Sequence, residues 1–426
     1  MSVVRGFRIV DMKVGVIGLG YVGLPLAVAF AEAGDEVIGL DSDSAKLERL
    51  RQGASYVDDV ADERIAACGD ALRASSDPAD LGACDAVLIC VPTPLTRSRE
   101  PDLTYLVDAG RSLAGVLRAG QLVVLESTTY PGTTRERLLP ILEESGLAAG
   151  KDFYLAFSPE RIDPGRTDHT IRTTPKIVGG LTEACTAKAA ELYSRICDEV
   201  IEVSGPEAAE MAKLLENIFR SVNIALVNEL AMLCDRMGID VWEVVEAAST
   251  KPFGFMRFDP GPGMGGHCLP VDPFYLSYKA REHDFYTEFI ELAGKINQNQ
   301  PHFCVQKIER ALNDVGKAMN GSTVLLLGVA YKGGSDDTRE SPALKIAELC
   351  RGLGADVVYH DPHVPEVAEL GLASQPLDEA LAACDLACIV TAHPGLDYGR
   401  VVERADLVLD FRGITRGLAA PNVLYL

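Results

Sequence analysis

Over the first 200 residues, short apolar and β-branched runs alternate with stretches whose apolar positions recur every three to four residues. The runs predict strands at 13–17, 36–40, 86–91, 122–126 and 153–157. Between the first two, residues 22–33 carry the helical pattern and stop at Gly34. Strands alternating with helices build right-handed βαβ units on a parallel sheet, so this part of the chain is expected to be α/β.

The pattern changes at Pro206. Apolar positions at Leu214, Leu215, Ile218, Val222, Ala225, Leu226, Leu230 and Leu233 predict one long helix, with no Gly or Pro between Pro206 and Gly238. In a multidomain enzyme such a helix is a spine. Its apolar surplus either faces a second subunit or is consumed in an intrachain core. A loop over 251–273 follows, with six breakers in 259–266 alone (Pro260, Gly261, Pro262, Gly263, Gly265, Gly266), and loops of this length are usually functional. A further helix is expected over 288–311. Strand signals then return at 323–327, 356–360, 386–390 and 407–410, predicting a second, smaller α/β unit. The expected division is a leader over 1–11, a Rossmann-like domain over 12–204, a central helical domain over 205–300 and a C-terminal α/β domain over 301–426.

Charge narrows the partners. The 426 residues hold 40 basic and 62 acidic side chains, a formal net charge of −22. That field repels phosphate backbones and anionic lipid, which argues against nucleic acid or a membrane surface while leaving room for a locally basic anion site. No apolar run is long enough to span a bilayer. Arg5 and Arg8 ahead of an apolar stretch resemble a signal peptide, but Asp11, Lys13 and the regularly placed glycines favour folded structure, with Met12 a candidate original start. Eleven scattered cysteines without a C-x-x-C pair point to a reducing cytoplasm.

Gly18-Leu-Gly20-Tyr-Val-Gly23 lies between the first expected strand and helix, and Asp41 closes the second strand, 18 residues beyond Gly23. In that context the glycines read as a dinucleotide turn: Gly18 for the tight bend, Gly20 for close approach of a pyrophosphate, Gly23 for helix–sheet packing. A carboxylate at 41 accepts from the ribose hydroxyls and repels a 2′-phosphate, so NAD is expected over NADP.

The most informative stretch is Gly265-Gly266-His267-Cys268-Leu269-Pro270-Val271-Asp272, a cysteine presented by a glycine-rich loop. Zinc is a competing reading of His267, Cys268 and Asp272, but three ligands so close together match no usual zinc spacing; no metal is expected. With Gly18-Leu-Gly-Tyr-Val-Gly-Leu-Pro-Leu-Ala27, Val91-Pro92-Thr93-Pro94, Glu126-Ser127-Thr128, Phe157-Ser-Pro-Glu160, the Lys213/Asn217 pair and the Tyr331–Pro342 run, seven ordered motifs resemble the UDP-glucose/GDP-mannose dehydrogenase superfamily of nucleotide-sugar 6-dehydrogenases. The resemblance extends from Met12 to near the C-terminus.

It implies NAD-dependent four-electron oxidation of a sugar C6 to the uronic acid, consuming two NAD, through a thiohemiacetal and a thioester on Cys268. It further implies that Lys213 and Asn217, one helical turn apart, steady the developing oxyanion and touch substrate. On residue pattern alone, a Lys and an Asn so spaced are commonplace on exposed helices. Glu160 matches a general base that also contacts substrate, Thr128 a hydroxyl that positions water, substrate or cofactor, and Asp272 a residue orienting the lysine and water. Tyr21, Val22, Val91, Pro92, Thr93 and Arg339 match cofactor contacts; Lys332, Gly261 and Gly263 match substrate contacts. A homodimer through the central helix is expected. His360-Asp-Pro-His363 reads as structural or nucleotide-adjacent.

There are departures. Many UDP-glucose enzymes have a second Glu four residues after the first, where this chain has Pro164, beside Asp163. The Gly-Gly-His-Cys loop, Ser-Pro-Glu-Arg-x-Asp-Pro-Gly and Lys-Pro-Phe-Gly-Phe-Met are most similar to the UDP-N-acetylglucosamine 6-dehydrogenase branch. UDP-N-acetylglucosamine or UDP-glucose is therefore the expected substrate, with dTDP-glucose as an alternative. A one-step NAD hydroxyacid dehydrogenase is the rival enzyme class, distinguished by lacking the cysteine loop and the second α/β unit.

Overall fold

The computed structural model describes residues 12–57, 59–96, 100–162, 169–266, 272–418 and 420–426. The chain divides into two compact units, Met1–Leu215 and Glu216–Leu426.

The first unit is built on an eight-stranded sheet, in the order β3-β2-β1-β4-β5-β6-β7-β8. Its strands are β1 (Lys13–Ile17), β2 (Glu36–Leu40), β3 (Leu72–Ser75), β4 (Ala86–Ile89), β5 (Leu122–Leu125), β6 (Tyr154–Phe157), β7 (Lys176–Gly180) and β8 (Val200–Glu202). β1 pairs in parallel with β2 on one side and β4 on the other. Strand order therefore reverses at β1, where doubly wound sheets open a crevice for ligands at the carboxyl ends of the strands. Val14 and Val16 pack into one apolar layer, Ile17 and Ile89 into the other. Burial on both faces is why these strands read as unbroken apolar runs. The helix Gly23–Glu32 follows β1, as expected.

The expectation of a parallel sheet needs correcting at one place, because β7 runs antiparallel to β6. β3 and β8 also went unannounced: both are edge strands with polar positions, Arg73 in one and Glu202 in the other.

The second unit holds a five-stranded parallel sheet in the order β10-β9-β13-β14-β15. The strands are β9 (Thr323–Leu327), β10 (Asp356–His360), β13 (Leu386–Ile389), β14 (Val408–Asp410) and β15 (Val423–Tyr425). A small antiparallel pair, β11 (Glu366–Val367) and β12 (Leu372–Ala373), lies between β10 and β13 in sequence. Apolar layers cover both faces of this sheet.

The helix Pro206–Met237 continues through the division between the units. Leu214, Ala225 and Ala231 are buried, whereas Leu215, Leu226 and Leu233 are 63%, 56% and 50% exposed. The apolar surplus thus forms a second, uncovered face. The helix expected over 288–311 runs from Glu288 to Asp314 and carries Pro301 inside it. Among the described residues, no helix is long and apolar enough to cross a membrane.

Candidate active site

Each glycine of the first turn has a different reason to be glycine. Gly18 has φ +89°, and a Cβ there would lie 2.7 Å from the Cys90 carbonyl oxygen. Its N–H donates to Leu40 O at 2.8 Å. At Gly23 a Cβ would lie 1.8 Å from the Gly18 oxygen, so the helix packs on the turn only without a side chain. At Gly20 a Cβ would meet nothing within 4 Å. Two glycines close the turn and the third leaves open space in front of a helix N-terminus, the cradle a pyrophosphate needs.

Asp41 is anchored beside it: Oδ2 accepts from Leu19 N at 2.9 Å and Lys46 Nζ at 3.3 Å, and Oδ1 accepts from Asp43 N at 2.9 Å. Tyr56 OH donates to Leu19 O at 2.7 Å, bracing the turn from outside. Tyr21 is exposed and Val22 half-buried at the helix start. Val91, Pro92 and Thr93 follow β4, and two hydrogen bonds tie them to the loop after β5. Thr93 Oγ1 donates to Thr128 O at 2.7 Å, and Ser127 Oγ donates to Val91 O at 2.7 Å. The cradle, the fixed carboxylate and these paired loops fit a dinucleotide.

Glu160 follows β6. Its Oε1 accepts backbone N–H from Arg161 at 2.7 Å and Ile162 at 2.6 Å. Its Oε2 lies 3.7 Å from Lys176 Nζ, which in turn donates to Glu126 Oε2 at 2.8 Å. Tyr193 OH donates to the other oxygen of Glu126. Burial raises the pKa of Glu126. Burial opposes the charge on Lys176 too, but Glu126 and Glu160 together hold its pKa above the ordinary value. The motif Glu126-Ser-Thr named one member of this cluster. Lys176 and Tyr193 carried no sequence signal beyond a lysine opening an apolar strand.

Glu210, on the long helix, accepts from Gly132 N at 2.6 Å, Thr134 N at 2.9 Å and Thr134 Oγ1 at 2.7 Å. Burial pushes its pKa up to about 7. This anchor, also unseen in the sequence, pins the loop following Thr128 one turn before Lys213. Lys213 and Asn217 are buried, at 9% and 4% exposure, and lie one turn apart on that helix.

In the second unit, the glycine loop packs against the segment that begins at Tyr331. A Cβ on Gly265 would come within 2.9 Å of Tyr331 Cβ, and one on Gly266 within 2.9 Å of Tyr331 Cε2. Gly266 N donates to Arg339 O at 3.1 Å. At Gly261 the space is taken by Arg412, and at Gly263 (φ +134°) by Pro342, Asn297 and Pro301. Gly261 N donates to Asn228 Oδ1 at 3.0 Å. Lys332 is half-buried; Arg339 is exposed and pairs with Asp337 through two bonds of 2.8 and 2.6 Å. His267, Cys268, Asp163 and Pro164 lie outside the described residues. Asp272 opens the helix Asp272–Arg281, but its side chain is likewise outside them.

Within His360-Asp-Pro-His363, Asp361 is the structural centre. Its Oδ2 accepts from Val329 N at 2.7 Å, Ala330 N at 3.1 Å and His393 Nε2 at 3.0 Å, while Gly334 N donates to His393 Nδ1 at 3.2 Å. The dyad binds the carboxyl end of β9 to the loop after Lys332.

Three models of the UDP-glucose/GDP-mannose dehydrogenase family match the chain: the NAD binding domain over 12–197, the central domain over 207–299 and the UDP binding domain over 325–417. A UDP-N-acetyl-D-mannosamine dehydrogenase of Pyrococcus horikoshii is 36% identical over 95% of this chain and 100% of its own length. A UDP-N-acetyl-D-glucosamine 6-dehydrogenase of Pseudomonas aeruginosa is 38% identical over 83% of each chain. The solved structure of the UDP-D-ManNAc dehydrogenase from Pyrococcus horikoshii superimposes with a TM-score of 0.89 at 34% identity, covering 97% of this chain and 98% of that one. With the dinucleotide crevice and these matches along nearly its whole length, the chain belongs to the UDP-glucose/GDP-mannose dehydrogenase family and is an NAD-dependent nucleotide-sugar dehydrogenase.

Proposed function

We propose that this enzyme oxidises C6 of a UDP-linked 2-acetamido hexose from alcohol to carboxylate, with Cys268 holding the carbon between two hydride transfers. The observation that carries the reading is the coexistence of an intact Gly-Gly-His-Cys-Leu-Pro-Val-Asp loop with Glu160, whose carboxylate is clamped on one oxygen by two backbone amides. The first supplies capture, the second release.

The Gly18–Gly23 turn and Asp41 would hold NAD, which would supply the hydride acceptor. The Cys268 thiolate adds to the aldehyde carbon, and the Lys213 ammonium with the Asn217 amide stabilises the oxyanion. Loss of the second hydride leaves a thioester. Glu160 takes a proton from water as its oxygen adds to the carbonyl carbon; the C–S bond then breaks and sulfur leaves as thiolate. Thr128 positions that water, and Asp272 orients the groups near the sulfur. Lys332 meets the diphosphate, Gly261 and Gly263 line the substrate loop, and Arg339, Tyr21, Val22, Val91, Pro92 and Thr93 serve the cofactor.

The acetamido assignment is supported by relatives named for UDP-N-acetylmannosamine and UDP-N-acetylglucosamine. The exposed Leu215, Leu226, Leu230 and Leu233 support a homodimer through the long helix. Ten free cysteines among the described residues agree with a reducing cytoplasm.

The test is NADH yield with excess NAD and limiting UDP-N-acetylglucosamine, UDP-N-acetylmannosamine or UDP-glucose. Two NADH per acetamido sugar are expected, and no acid from Cys268→Ala. One NADH per sugar, or acid production by Cys268→Ala, overturns the covalent mechanism; turnover of UDP-glucose alone overturns the substrate.

A further inference from the structure

We infer that Lys176, held by Glu126 and Tyr193, is a positioning residue for Glu160 that serves thioester hydrolysis and not the hydride steps. The inference rests on the reading of Glu160 as the base that activates water.

The strand that breaks the parallel pattern creates the arrangement. β7 pairs antiparallel with β6, Ala156 opposite Gly180 and Phe157 opposite Gly179. Continuing that register past the end of β6 sets Lys176 across from Glu160. A parallel strand in the same place would have put its first residue at the amino ends of the strands. The direction of β7 therefore delivers a cation to the carboxyl ends of the strands, beside the cofactor crevice.

The distances divide the labour. The ammonium gives its hydrogen bond to Glu126 at 2.8 Å and stands 3.7 Å from Glu160 Oε2, beyond hydrogen-bond reach. Glu160 feels the positive charge yet keeps the lone pair that must take a proton from water. Since Arg161 N and Ile162 N hold Oε1, Oε2 is the oxygen left for that proton, and Lys176 sets the direction in which it faces. Lys176 itself has no latitude: its side chain is 6% exposed, Nζ lies 5.1 Å from the Tyr193 ring centroid, and Tyr193 OH fixes the far oxygen of Glu126. A buried ion pair is a poor way to gain stability, since apolar residues of the same volume often do as well. Two carboxylates around one buried ammonium exceed what neutralising a lysine requires. Without the cation, Glu126 and Glu160 would face each other as like charges, and Oε2 would turn away.

The experiment compares Lys176→Met, Lys176→Arg and Glu160→Gln with wild type, using the UDP-sugar that wild type turns over. Rapid mixing reads the burst of NADH, and intact mass after acid quench reads acyl-enzyme on Cys268. Glu160→Gln is expected to release two NADH per site and stall as acyl-enzyme. Lys176→Met is expected to keep that burst, lose about 10-fold or more in steady-state kcat with a parallel fall in KM for the sugar, so that kcat/KM stays near wild type, and carry acyl-enzyme on most sites; Lys176→Arg restores kcat to within about 3-fold. Should Lys176→Met not fold, Lys176→Met/Glu126→Gln removes the buried cation with its counter-charge and is read in the same way. A Lys176 variant that slows the burst as much as the steady state, or accumulates no acyl-enzyme while Glu160→Gln does, overturns the inference. If Glu160→Gln itself accumulates none, the reading of Glu160 falls first and the inference with it.

Discussion

Gly20 and Gly23 stand three residues apart in one motif, yet alanine at each should do opposite things. A Cβ at Gly23 would sit 1.8 Å from the Gly18 carbonyl oxygen and 3.2 Å from Cys90 Cβ. An ordinary carbon–oxygen contact needs well over 3 Å, so the backbone itself must move by more than 1 Å, with no rotamer to absorb the overlap. Overpacking costs about 1–3 kcal/mol, and a clash against backbone belongs at the top of that range. For a unit of roughly 200 residues, about 3 kcal/mol lowers Tm by about 6–12 °C. Gly20 is different: the added methyl meets no protein atom within 4 Å. Gly20→Ala should leave stability within about 0.5 kcal/mol of wild type. It does fill the space a pyrophosphate must enter. Losing one charge-assisted hydrogen bond, about 1.5–3 kcal/mol, weakens NADH binding by about 10- to 100-fold. Fluorescence titration with NADH gives the Kd, and melting with and without cofactor gives stability. Wild type at 100 times its Kd should gain about 2.7 kcal/mol, and Gly20→Ala at the same concentration markedly less. Wild-type NADH affinity in Gly20→Ala, or a wild-type Tm in Gly23→Ala, would refute the division of roles.

Asp41→Asn keeps an acceptor for Leu19 N but removes the charge that repels a 2′-phosphate; the NAD-to-NADP ratio of kcat/KM should fall at least about 10-fold, and an unchanged ratio would remove Asp41 from cofactor choice. Leu226→Arg with Leu233→Arg puts two charges on the uncovered helix face and, in the proposed homodimer, should raise the dimer Kd by about 100-fold or more; light scattering that finds wild type and variant equally dimeric at low micromolar protein, or wild type monomeric, would contradict that interface. Asp361 gives a pH dependence. Burial opposes its charge, but the His393 imidazole and backbone amides prevail and hold its pKa down to about 2 from 3.8. A depressed carboxylate stabilises the fold above its unfolded pKa and loses that contribution as the pH falls through the folded one; the shift amounts to about 2 kcal/mol. The stability gap between wild type and Asp361→Asn in urea should therefore narrow from pH 5 towards pH 2, and a constant gap would contradict the assignment.

Much of this protein was legible in its primary structure, and for one kind of reason. β1, β2 and β9 begin and end where the apolar runs do, because strands buried on both faces leave an uninterrupted local record. The long helix declared itself by period and by the absence of Gly and Pro. The dinucleotide turn did so because three glycines, a strand and a carboxylate fall within about 30 residues. Edge strands such as β3 and β8 pair on one side and tolerate polar residues, so their record is faint. Neighbouring leucines were indistinguishable too: Leu214 is buried and Leu215 is 63% exposed, a difference set by what the rest of the fold lays against each face.

The polar interior belongs wholly to the tertiary structure. Lys176 reaches Glu126 across 50 residues of sequence, Glu210 reaches Thr134 across 76, and His393 reaches Asp361 across 32. Periodicity reports whether a position is buried next to its neighbours in the chain; it carries nothing about a partner on another strand. The sequence alone thus determined the α/β class, the cofactor turn and the family, all written locally. Only folding, which turned β7 against the direction of β6, decided that a lysine without any motif of its own would stand beside Glu160.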